Sequence, residues 1–377
     1  MDGSAPKRFR LGTHRVRSPE ETWDALRDVL PKVGVTRVAD VTGLDRIGIP
    51  VWQAVRPASR SLSVSQGKGA TPAAARASAA MESVELWHAE DLSHLSRVLL
   101  SPREMRYDNP IPLSSLRWTF QPPEVSAVPL PWVRARCLRG GPDGWLPLDM
   151  LELDFTEPAA LPLRLFHRTS NGLASGNCVE EAVLHGVCEL VERHAVRLAG
   201  EEPARKVALS ENSIDVPWLR DPLDRIRAAG CKLALWDVTG DLGLPVALVD
   251  LAAPDIPNVW RGSGCHPDPA VALSRAITEA AQSRLTYISG ARDDLPFFGG
   301  EELAHRLFDE FREPAAARAL ADLPDLSTAS VATDLDTVAE HLASRGFETY
   351  WVDLTRPEIG VPVAAVFLPG LKDKPHG

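Results

Sequence analysis

Residues 170–193 read SNGLASGNCVEEAVLHGVCELVER, a glycine-bearing turn that leads into a segment of helical periodicity. Glu181, His185, Glu189 and Glu192 are spaced so that they fall on one face of an α-helix. The other faces carry aliphatic residues, which predicts a helix that packs on a core and presents carboxylates on one side. Carboxylates at this spacing repel one another unless a cation lies among them.

The same arrangement occurs twice more in the chain. An earlier copy runs from Gly67-Lys68-Gly69 through an Ala-rich segment to Glu82 and Glu85, and a later copy runs from Gly262-Ser263-Gly264 to Glu279-x-x-Gln282-x-Arg284. Each is interpreted as a glycine-bearing loop that feeds a helix carrying two carboxylates, or Glu with Gln. One charged helix stripe is usually only a solvated face, but three related segments in one chain favour a shared site.

Acidic side chains beside Lys and Arg are typical of sites for divalent metal ions and phosphate groups. The guanidinium groups of Arg193 and Arg284 present a rigid fork that suits phosphate oxygens. Arg193 could instead pair with Glu189, four residues earlier in the same helix. Its position beside Glu192 favours a functional role.

Together these segments resemble the motifs of the YcaO family. Residues 170–193 are similar to that family's central signature, residues 67–85 resemble its N-terminal nucleotide motif, and residues 275–284 with 290–294 resemble its third conserved block. The resemblance extends over about residues 12–371. It implies an α+β fold of pseudo-symmetric sheet–helix layers, with the site for ATP and Mg²⁺ in a cavity between the repeats.

The resemblance also implies a reaction and assigns residues to it. YcaO enzymes use ATP and Mg²⁺ to phosphorylate the oxygen of a backbone amide in a ribosomally made precursor peptide, and loss of phosphate leaves an azoline, an amidine or a thioamide. The implied metal ligands are Glu82, Glu85, Glu181, Glu189 and Glu192. The implied nucleotide-binding residues are these five with Arg15, Lys68, Ser78, Arg193, Gln282 and Arg284, and Thr22 also falls near the family's N-terminal phosphate contacts. The implied catalytic residues are Glu82, Glu192 and Arg193.

Departures from the family pattern bear on the product. His185 stands where family members often carry Gln, and it could face a nucleotide or lie at the edge of the core. The sequence ends without the Pro-x-Pro-x-Pro tail of many azoline-forming members. The favoured expectation is a macroamidine or azoline formed by an internal nucleophile of the peptide. The alternative is thioamide formation with a sulfur donor and a TfuA-type partner, and a non-catalytic scaffold or a carboxylate–amine ligase is less favoured.

Composition sets further bounds on function. The 377 residues carry a net charge of −10, which argues against general nucleic-acid binding, and no apolar run is long enough to span a membrane. Five cysteines without Cys-x-x-Cys spacing indicate a reduced, cytoplasmic protein without a zinc site. A catalytic thiol at Cys178 or Cys265 is less favoured than a small buried residue. We expect one domain over residues 1–377, with subregions 12–99, 100–150 and 151–371, and a homodimer is possible.

Local patterns predict the following elements. A helix at 21–30 is expected after Ser18, an N-cap followed by Pro19 at the first helical position. Further helices are expected after the three glycine loops and at 222–229 and 337–345, and residues 299–326 are expected to be helical. Residues 100–148 are Pro-rich and are expected to form loops with short strands. The predicted strands are 35–41, 51–55, 62–65, 233–238, 246–251, 349–352 and 362–367.

Overall fold

The computed structural model describes residues 6–119, 127–156, 165–291 and 299–372. Within them the chain forms antiparallel sheets with helices packed against them, so the predicted α+β class is confirmed. The helices are α1 Pro19–Leu26, α2 Pro72–Ala89, α3 Pro102–Met105, α4 Leu148–Leu151, α5 Val179–Glu201, α6 Pro217–Ala228, α7 Pro269–Ile288, α8 Glu301–Glu310 and α9 Val331–Ala343. The strands are β1 Arg37–Asp40, β2 Val51–Val55, β3 Val64–Lys68, β4 Arg97–Leu100, β5 Leu130–Cys137, β6 Gly144–Pro147, β7 Leu173–Ser175, β8 Val207–Ala208, β9 Lys232–Asp237, β10 Val246–Ala252, β11 Val259–Cys265, β12 Tyr350–Asp353 and β13 Val363–Phe367. No helix in the described ranges is both long and apolar enough to cross a membrane.

One structural unit recurs around the centre of the molecule. In the first unit the antiparallel strands β1, β2 and β3 lead into α2, and in another unit β9, β10 and β11 lead into α7. In the remaining unit β12, β13 and β7 are adjacent antiparallel strands, and β7 leads into α5. This unit is assembled from distant parts of the chain, because Ser175 of β7 pairs with Val363 of β13. The predicted pseudo-symmetric sheet–helix layering is therefore present.

The glycines of two motifs lie in strands, which corrects the prediction that they form loops. Gly67 is in β3 and Gly264 is in β11. A Cβ on Gly67 would lie 2.1 Å from the carbonyl oxygen of Ala75 in α2, and a Cβ on Gly264 would lie 2.2 Å from that of Ala272 in α7. Both distances are far below van der Waals contact, so the absent side chain lets each strand lie directly against the helix that follows it.

We expect Gly67→Ala to destabilise the protein strongly, because strand and helix backbones would have to move apart. Overpacking of this kind costs about 1–3 kcal/mol, and more where the clash is with backbone atoms. Urea unfolding followed by circular dichroism measures the loss. The matched control is Gly200→Ala in α5, where a new Cβ meets nothing within 4 Å. Equal stability of the two variants would contradict the role assigned to Gly67.

Several predicted boundaries need correction. The Ser18 cap and its Pro19 are confirmed, with Glu21 completing a capping box, but α1 ends at Leu26, four residues before the predicted end. The α6 helix begins at Pro217 and contains Pro222, which was wrongly taken as the start. Two prolines five residues apart give the same local start signal, and only packing distinguishes them.

The charged segment 299–326 is helical only in α8 and in a short 3-10 turn at 320–322. Its middle part runs along the β8–β9 edge instead, where Glu313 pairs with Arg227 and Arg318 pairs with Asp237. The strands that were not individually predicted are β4, β5, β6, β7, β8 and β11. Strands β9, β10, β12 and β13 match their predictions within one or two residues. Residues 292–294 of the third block and the tail from 373 onward lie outside the described residues.

Candidate active site

A cavity of about 720 Å³ lies between α2, α5 and α7. Each helix presents to it the residues six, ten and thirteen positions after its first residue, which is Pro72, Val179 or Pro269. These spacings place the three side chains on one face of each helix. The residues at these nine positions, all of which line the cavity, are Ser78, Glu82 and Glu85 of α2, His185, Glu189 and Glu192 of α5, and Arg275, Glu279 and Gln282 of α7.

The glutamate ten positions into each helix accepts a hydrogen bond from the strand or turn that precedes that helix. This bond fixes the carboxylate to its own unit. The bonds are Gln66 N to Glu82 Oε2 at 3.2 Å, Gly172 N to Glu189 Oε2 at 3.0 Å, and Ser263 N to Glu279 Oε1 at 3.3 Å.

The residue thirteen positions into each helix bonds instead to the strand of the next unit. The three links join α2 to β7, α5 to β11 and α7 to β3, so they close a ring around the cavity. The bonds are Ser175 N to Glu85 Oε2 at 2.8 Å, Ser263 Oγ to Glu192 Oε1 at 2.7 Å with Cys265 N to Glu192 Oε2 at 3.1 Å, and Gln282 Nε2 to Gln66 O at 3.0 Å. We call these six helix residues and their strand partners the acidic ring.

Burial and mutual repulsion perturb the carboxylates of α2 and α5. Burial raises the pKa of Glu82 to about 7, and the charges of Glu189 and Glu279 add to the increase. The pKa of Glu85 is raised well above its ordinary value by burial and by Glu189 and Glu82, and that of Glu189 is also raised by burial. A divalent cation between these groups would remove the repulsion.

The α7 side of the ring is different because it is already neutralised. Burial acts to raise the pKa of Glu279, but the positive charges of Lys68 and Arg193 outweigh it and bring the pKa to about 2. The Lys68 ammonium lies 2.5 Å from Glu279 Oε2 and donates to Gln282 Oε1 at 3.1 Å. Excess negative charge is therefore concentrated on α2 and α5.

The donor set fits Mg²⁺ held together with phosphates. Glu82 and Glu85 each keep one carboxylate oxygen without a hydrogen bond to any described residue. In the described part of the chain, no three His, Cys, Asp or Glu side chains form a preformed metal cage. Mg²⁺ usually takes only one or two protein carboxylates and completes its octahedron with waters and phosphate oxygens. Glu82 and Glu85 would hold such an ion.

Glu181 is held more tightly than the other predicted metal ligands. Its Oε1 accepts from Val16 N at 2.5 Å, and its Oε2 accepts from Asn177 N at 2.8 Å and from Asn177 Nδ2 at 2.9 Å. Thr22 Oγ1 donates to Asn177 Oδ1 at 2.9 Å. Glu181 thus fixes the segment that carries Arg15 to the start of α5, and both Arg15 and Thr22 line the cavity.

Positive groups face the cavity between these carboxylates. The Arg193 side chain is 42 % exposed, and its guanidinium lies 3.4 Å from Glu189 and 3.9 Å from Glu192. The ion pair with Glu189 that the helical spacing allowed is therefore present. Arg193 also lines the cavity. Arg275 donates to His185 Nε2 at 3.2 Å. Burial and Arg275 hold the pKa of His185 well below its ordinary value, so the imidazole is neutral.

The sequence profile of the family described as YcaO cyclodehydratase, ATP- and Mg²⁺-binding, matches residues 66–372. The chain belongs to the YcaO family. It is therefore an ATP-dependent enzyme of the cyclodehydratase class, and the predicted cofactors ATP and Mg²⁺ are those of the family.

Two curated relatives and one solved structure are similar to this chain over most of its length. The protein Rv1375 of Mycobacterium tuberculosis is 39% identical over 96% of this chain and 83% of its own length. A protein of Rhizobium leguminosarum bv. trifolii, described as lying in the tfuA 3' region, is 35% identical over 95% of this chain and 88% of its own length. The structure of YcaO from Methanopyrus kandleri bound with AMPPCP and Mg²⁺ has a TM-score of 0.74 and 26% identity, covering 98% of this chain and 95% of that one.

Arg284 is the predicted YcaO site residue that the structure places elsewhere. It does not line the cavity, and its buried guanidinium is 3.0 Å from Asp45 and 2.7 Å from Asp255. Two carboxylates occupy its donors, so the predicted phosphate contact is corrected to a structural ion pair. The other ten predicted residues, Arg15, Lys68, Ser78, Glu82, Glu85, Glu181, Glu189, Glu192, Arg193 and Gln282, all line the cavity.

We expect Arg284→Met to lower stability by about 3–5 kcal/mol, because Asp45 would remain buried without its partner. Affinity for Mg²⁺–AMPPCP in the folded variant should stay within about twofold of wild type, since Arg284 lies outside the cavity. Urea unfolding and calorimetry measure the two effects. A large loss of nucleotide affinity in a stable variant would restore the phosphate-binding assignment.

Two charged residues of α7 that line the cavity were missing from the sequence-based set. Glu279 occupies the same helix position as Glu82 and Glu189, and Arg275 the same position as Ser78. Alignment of the three motifs by the first residue of each helix would have found both.

The cysteines considered as nucleophiles do not line the cavity. Burial raises the pKa of the Cys178 thiol to about 12 and that of Cys265 well above its ordinary value. Both thiols are therefore protonated at neutral pH, which argues against a catalytic role.

Proposed function

We propose that this enzyme uses ATP to phosphorylate the oxygen of a backbone amide in a ribosomally made precursor peptide. The observation that carries the proposal is the acidic ring, which presents Glu82 and Glu85 with free oxygens beside Lys68 and Arg193 in a single cavity. An amide oxygen is a poor leaving group, and phosphorylation corrects that defect. When bound, Mg²⁺ would neutralise the phosphates and the charge that develops during transfer.

The side chains of the ring have separate tasks in this proposal. Glu82 and Glu85 hold the metal, while Glu192, fixed through both oxygens to β11, keeps α5 and Arg193 in place. Arg193 and Lys68 direct their donors at phosphate oxygens. Neutral His185 accepts from Arg275 and thereby orients that guanidinium towards the same region.

The bonds made and broken balance as follows. A nucleophile adds to the carbonyl carbon and loses its proton to solvent, and the amide oxygen takes the γ-phosphoryl group from ATP, which leaves ADP. In the ring-forming route the amide nitrogen then forms a C=N double bond and loses its N–H proton to solvent as the C–O bond breaks, and phosphate departs with the former amide oxygen. With an internal amine or thiol as nucleophile, the peptide loses one water overall and gains a macroamidine or azoline ring.

A second product is favoured by one comparison. The Rhizobium relative is described as lying in the tfuA 3' region, which supports a sulfur-donating route with a TfuA-type partner for this chain as well. Sulfide would then be the nucleophile, and the amide oxygen would be replaced by sulfur. The predicted homodimer is compatible with either route and stays a prediction.

Oxygen labelling tests the proposed activation. A candidate precursor peptide carrying ¹⁸O in its backbone amides is incubated with enzyme, ATP and Mg²⁺, and the released phosphate is analysed by mass spectrometry. We expect one ¹⁸O per phosphate for each modification. Retention of the label in the peptide, while ATP is consumed, would rule out O-phosphorylation.

Peptide mass then separates the two products. We expect a loss of 18 Da with enzyme, ATP and Mg²⁺ alone if the nucleophile is internal. Modification that needs sulfide and a TfuA-type protein, with a gain of about 16 Da, would select the thioamide route and leave the activation step unchanged.

A further inference from the structure

The two ends of the active-site cavity differ in chemistry. At one end, the segment that contains Gly12 lies against the starts of the lining helices: a Cβ on Gly12 would lie 2.9 Å from Ala70 Cβ, before α2, and 3.2 Å from Ser274 Oγ, in α7. The same segment is tied to the start of α5 through Val16 and Glu181. Thr13, Arg15 and Glu181 line this end, which is therefore polar, and the acidic ring follows it along the helices.

The other end of the cavity carries exposed apolar side chains, with Asn258, Arg261 and Ser283 lining the cavity beside them. Five apolar residues line it beyond the acidic ring, and we call them the apolar mouth: Leu62, Val64, Leu86, Val259 and Trp260. Leu62 and Val259 are 47% and 39% exposed, so this end opens to solvent. Apolar side chains so exposed at a cavity rim are typical of a binding surface.

The apolar mouth is built by the internal repeat. Leu62 lies ten residues before Pro72, and Val259 lies ten residues before Pro269, so the two side chains occupy corresponding places in two units. The β7–α5 unit carries Thr169 at the corresponding place. At this level the mouth thus has two apolar sides and one polar side. Val64 and Leu86 are apolar in the first unit only, because Arg261 corresponds to Val64 in the β11–α7 unit and Ser283 corresponds to Leu86.

The mouth adjoins the acidic ring directly. Leu86 follows Glu85 in α2, and one residue of helix advances only about 1.5 Å. The acidic residues that line the cavity belong to the ring or to Glu181 near the far end, and the described residues of the mouth include no carboxylate. Arg261 also lines this end, and its guanidinium is paired with Asp250 at 2.7 Å. With that charge neutralised, an apolar group is favoured at the mouth, within one or two residues of an amide placed at the ring.

We propose that the apolar mouth binds a large apolar side chain of the substrate peptide, next to the amide that is modified. The proposal rests on the proposed function and adds the substrate class: precursor peptides in which the modified amide is flanked by a residue such as Leu or Phe. Leu62 and Val259 are specificity-determining residues in this view.

Fluorescein-labelled octapeptides that differ at one central position, Leu, Phe, Ser, Asp or Lys, provide the probes. Their binding is measured by anisotropy at saturating Mg²⁺–AMPPCP. We expect wild type to bind the Leu and Phe peptides at least about tenfold more tightly than the Asp and Lys peptides. Leu62→Asp with Val259→Asp should reverse the order, so that the Lys peptide binds more tightly than the Leu peptide.

The matched control is Leu99→Asp, which changes a 69% exposed leucine in β4 outside the cavity and should keep the wild-type order. Nucleotide affinity should stay within about twofold in all variants, which shows that they are folded. An unchanged order in the double variant, or no preference in wild type, would overturn the proposal. It would also be overturned if the double substitution converted a dimer to a monomer in light scattering, because the mouth would then contact a second copy.

The outcomes separate this inference from the function on which it rests. A preference for apolar peptides without transfer of ¹⁸O to phosphate would reject the proposed activation and keep the mouth as a binding site. Transfer of ¹⁸O at equal efficiency from all five peptides would keep the activation and reject the mouth.

Discussion

Glu82→Gln and Glu192→Gln are each expected to lower ATP turnover by about 10³-fold or more while the protein remains folded. Glutamine keeps the shape of the side chain, so at position 82 it can still accept from Gln66 N. At position 192 its oxygen can accept from Cys265 N while its NH2 group donates to Ser263 Oγ, so the ring should stay assembled. In Glu82→Gln the lost charge removes a ligand of the metal. In Glu192→Gln it removes a negative partner that positions Arg193. Phosphate release and circular dichroism measure activity and fold.

The matched control is Glu180→Gln, which removes one negative charge from the first turn of α5 outside the cavity. It should retain turnover within about twofold. The two ring variants should also differ in nucleotide binding: Glu82→Gln should weaken Mg²⁺-dependent binding of AMPPCP by about tenfold or more, because Glu82 has a free oxygen for the metal. Wild-type turnover in both ring variants would falsify the site.

Without metal and nucleotide, the protein should lose stability relative to Glu82→Gln as the pH rises from 5 to 8. Burial raises the pKa of Glu82 from about 4.5 to about 7 in the folded state. A raised carboxyl pKa means that the neutral form is favoured in the fold, so its contribution to stability is present below the unfolded pKa and is lost as the pH passes through 7. Glu85 and Glu189 shift in the same direction and remain in both proteins.

The measurement is a melting curve in EDTA at several pH values for the two proteins. We expect their melting temperatures to converge at pH 5 and to differ on the order of 3 °C at pH 8, with wild type lower. Saturating Mg²⁺–AMPPCP should remove the difference or reverse it, because the cation offsets the repulsion. Glu279, with a pKa of about 2, titrates below this window and leaves the comparison unaffected. Parallel melting curves in EDTA would contradict the raised pKa of Glu82.

The sequence predicted the helix faces of the site well, because helical spacing is a local property. Glu82 and Glu85 share a face whatever else the chain does, and so do Glu189 and Glu192. Their convergence required the family resemblance, since no local pattern states that three helices meet. Strand assignment at the glycines failed for the same reason, because Gly67 is recognised as a strand residue only when the helix packed on it is known.

Arg284 shows the limit of reading charge from sequence. Its partner Asp45 is 239 residues away along the chain, and nothing in either local segment indicates the ion pair. Glu279 differs from Arg284, because its distance from the start of its helix equals that of Glu82 and so identifies it as a site residue. This holds although its partner Lys68 is 211 residues away along the chain. Internal repetition was thus a better guide to this site than residue type.

The acidic ring joins parts of the chain that leave the ribosome at different times during translation. Gln282 closes the ring onto β3 across 216 residues, and β7, just before α5, takes its neighbour from β13 at Val363–Phe367. A nascent chain that has left the ribosome only as far as α5 therefore carries most of the acidic residues but neither closure. We therefore expect nucleotide binding to begin after β13 has emerged, so that ATP stabilises the finished enzyme and not the early steps of its folding.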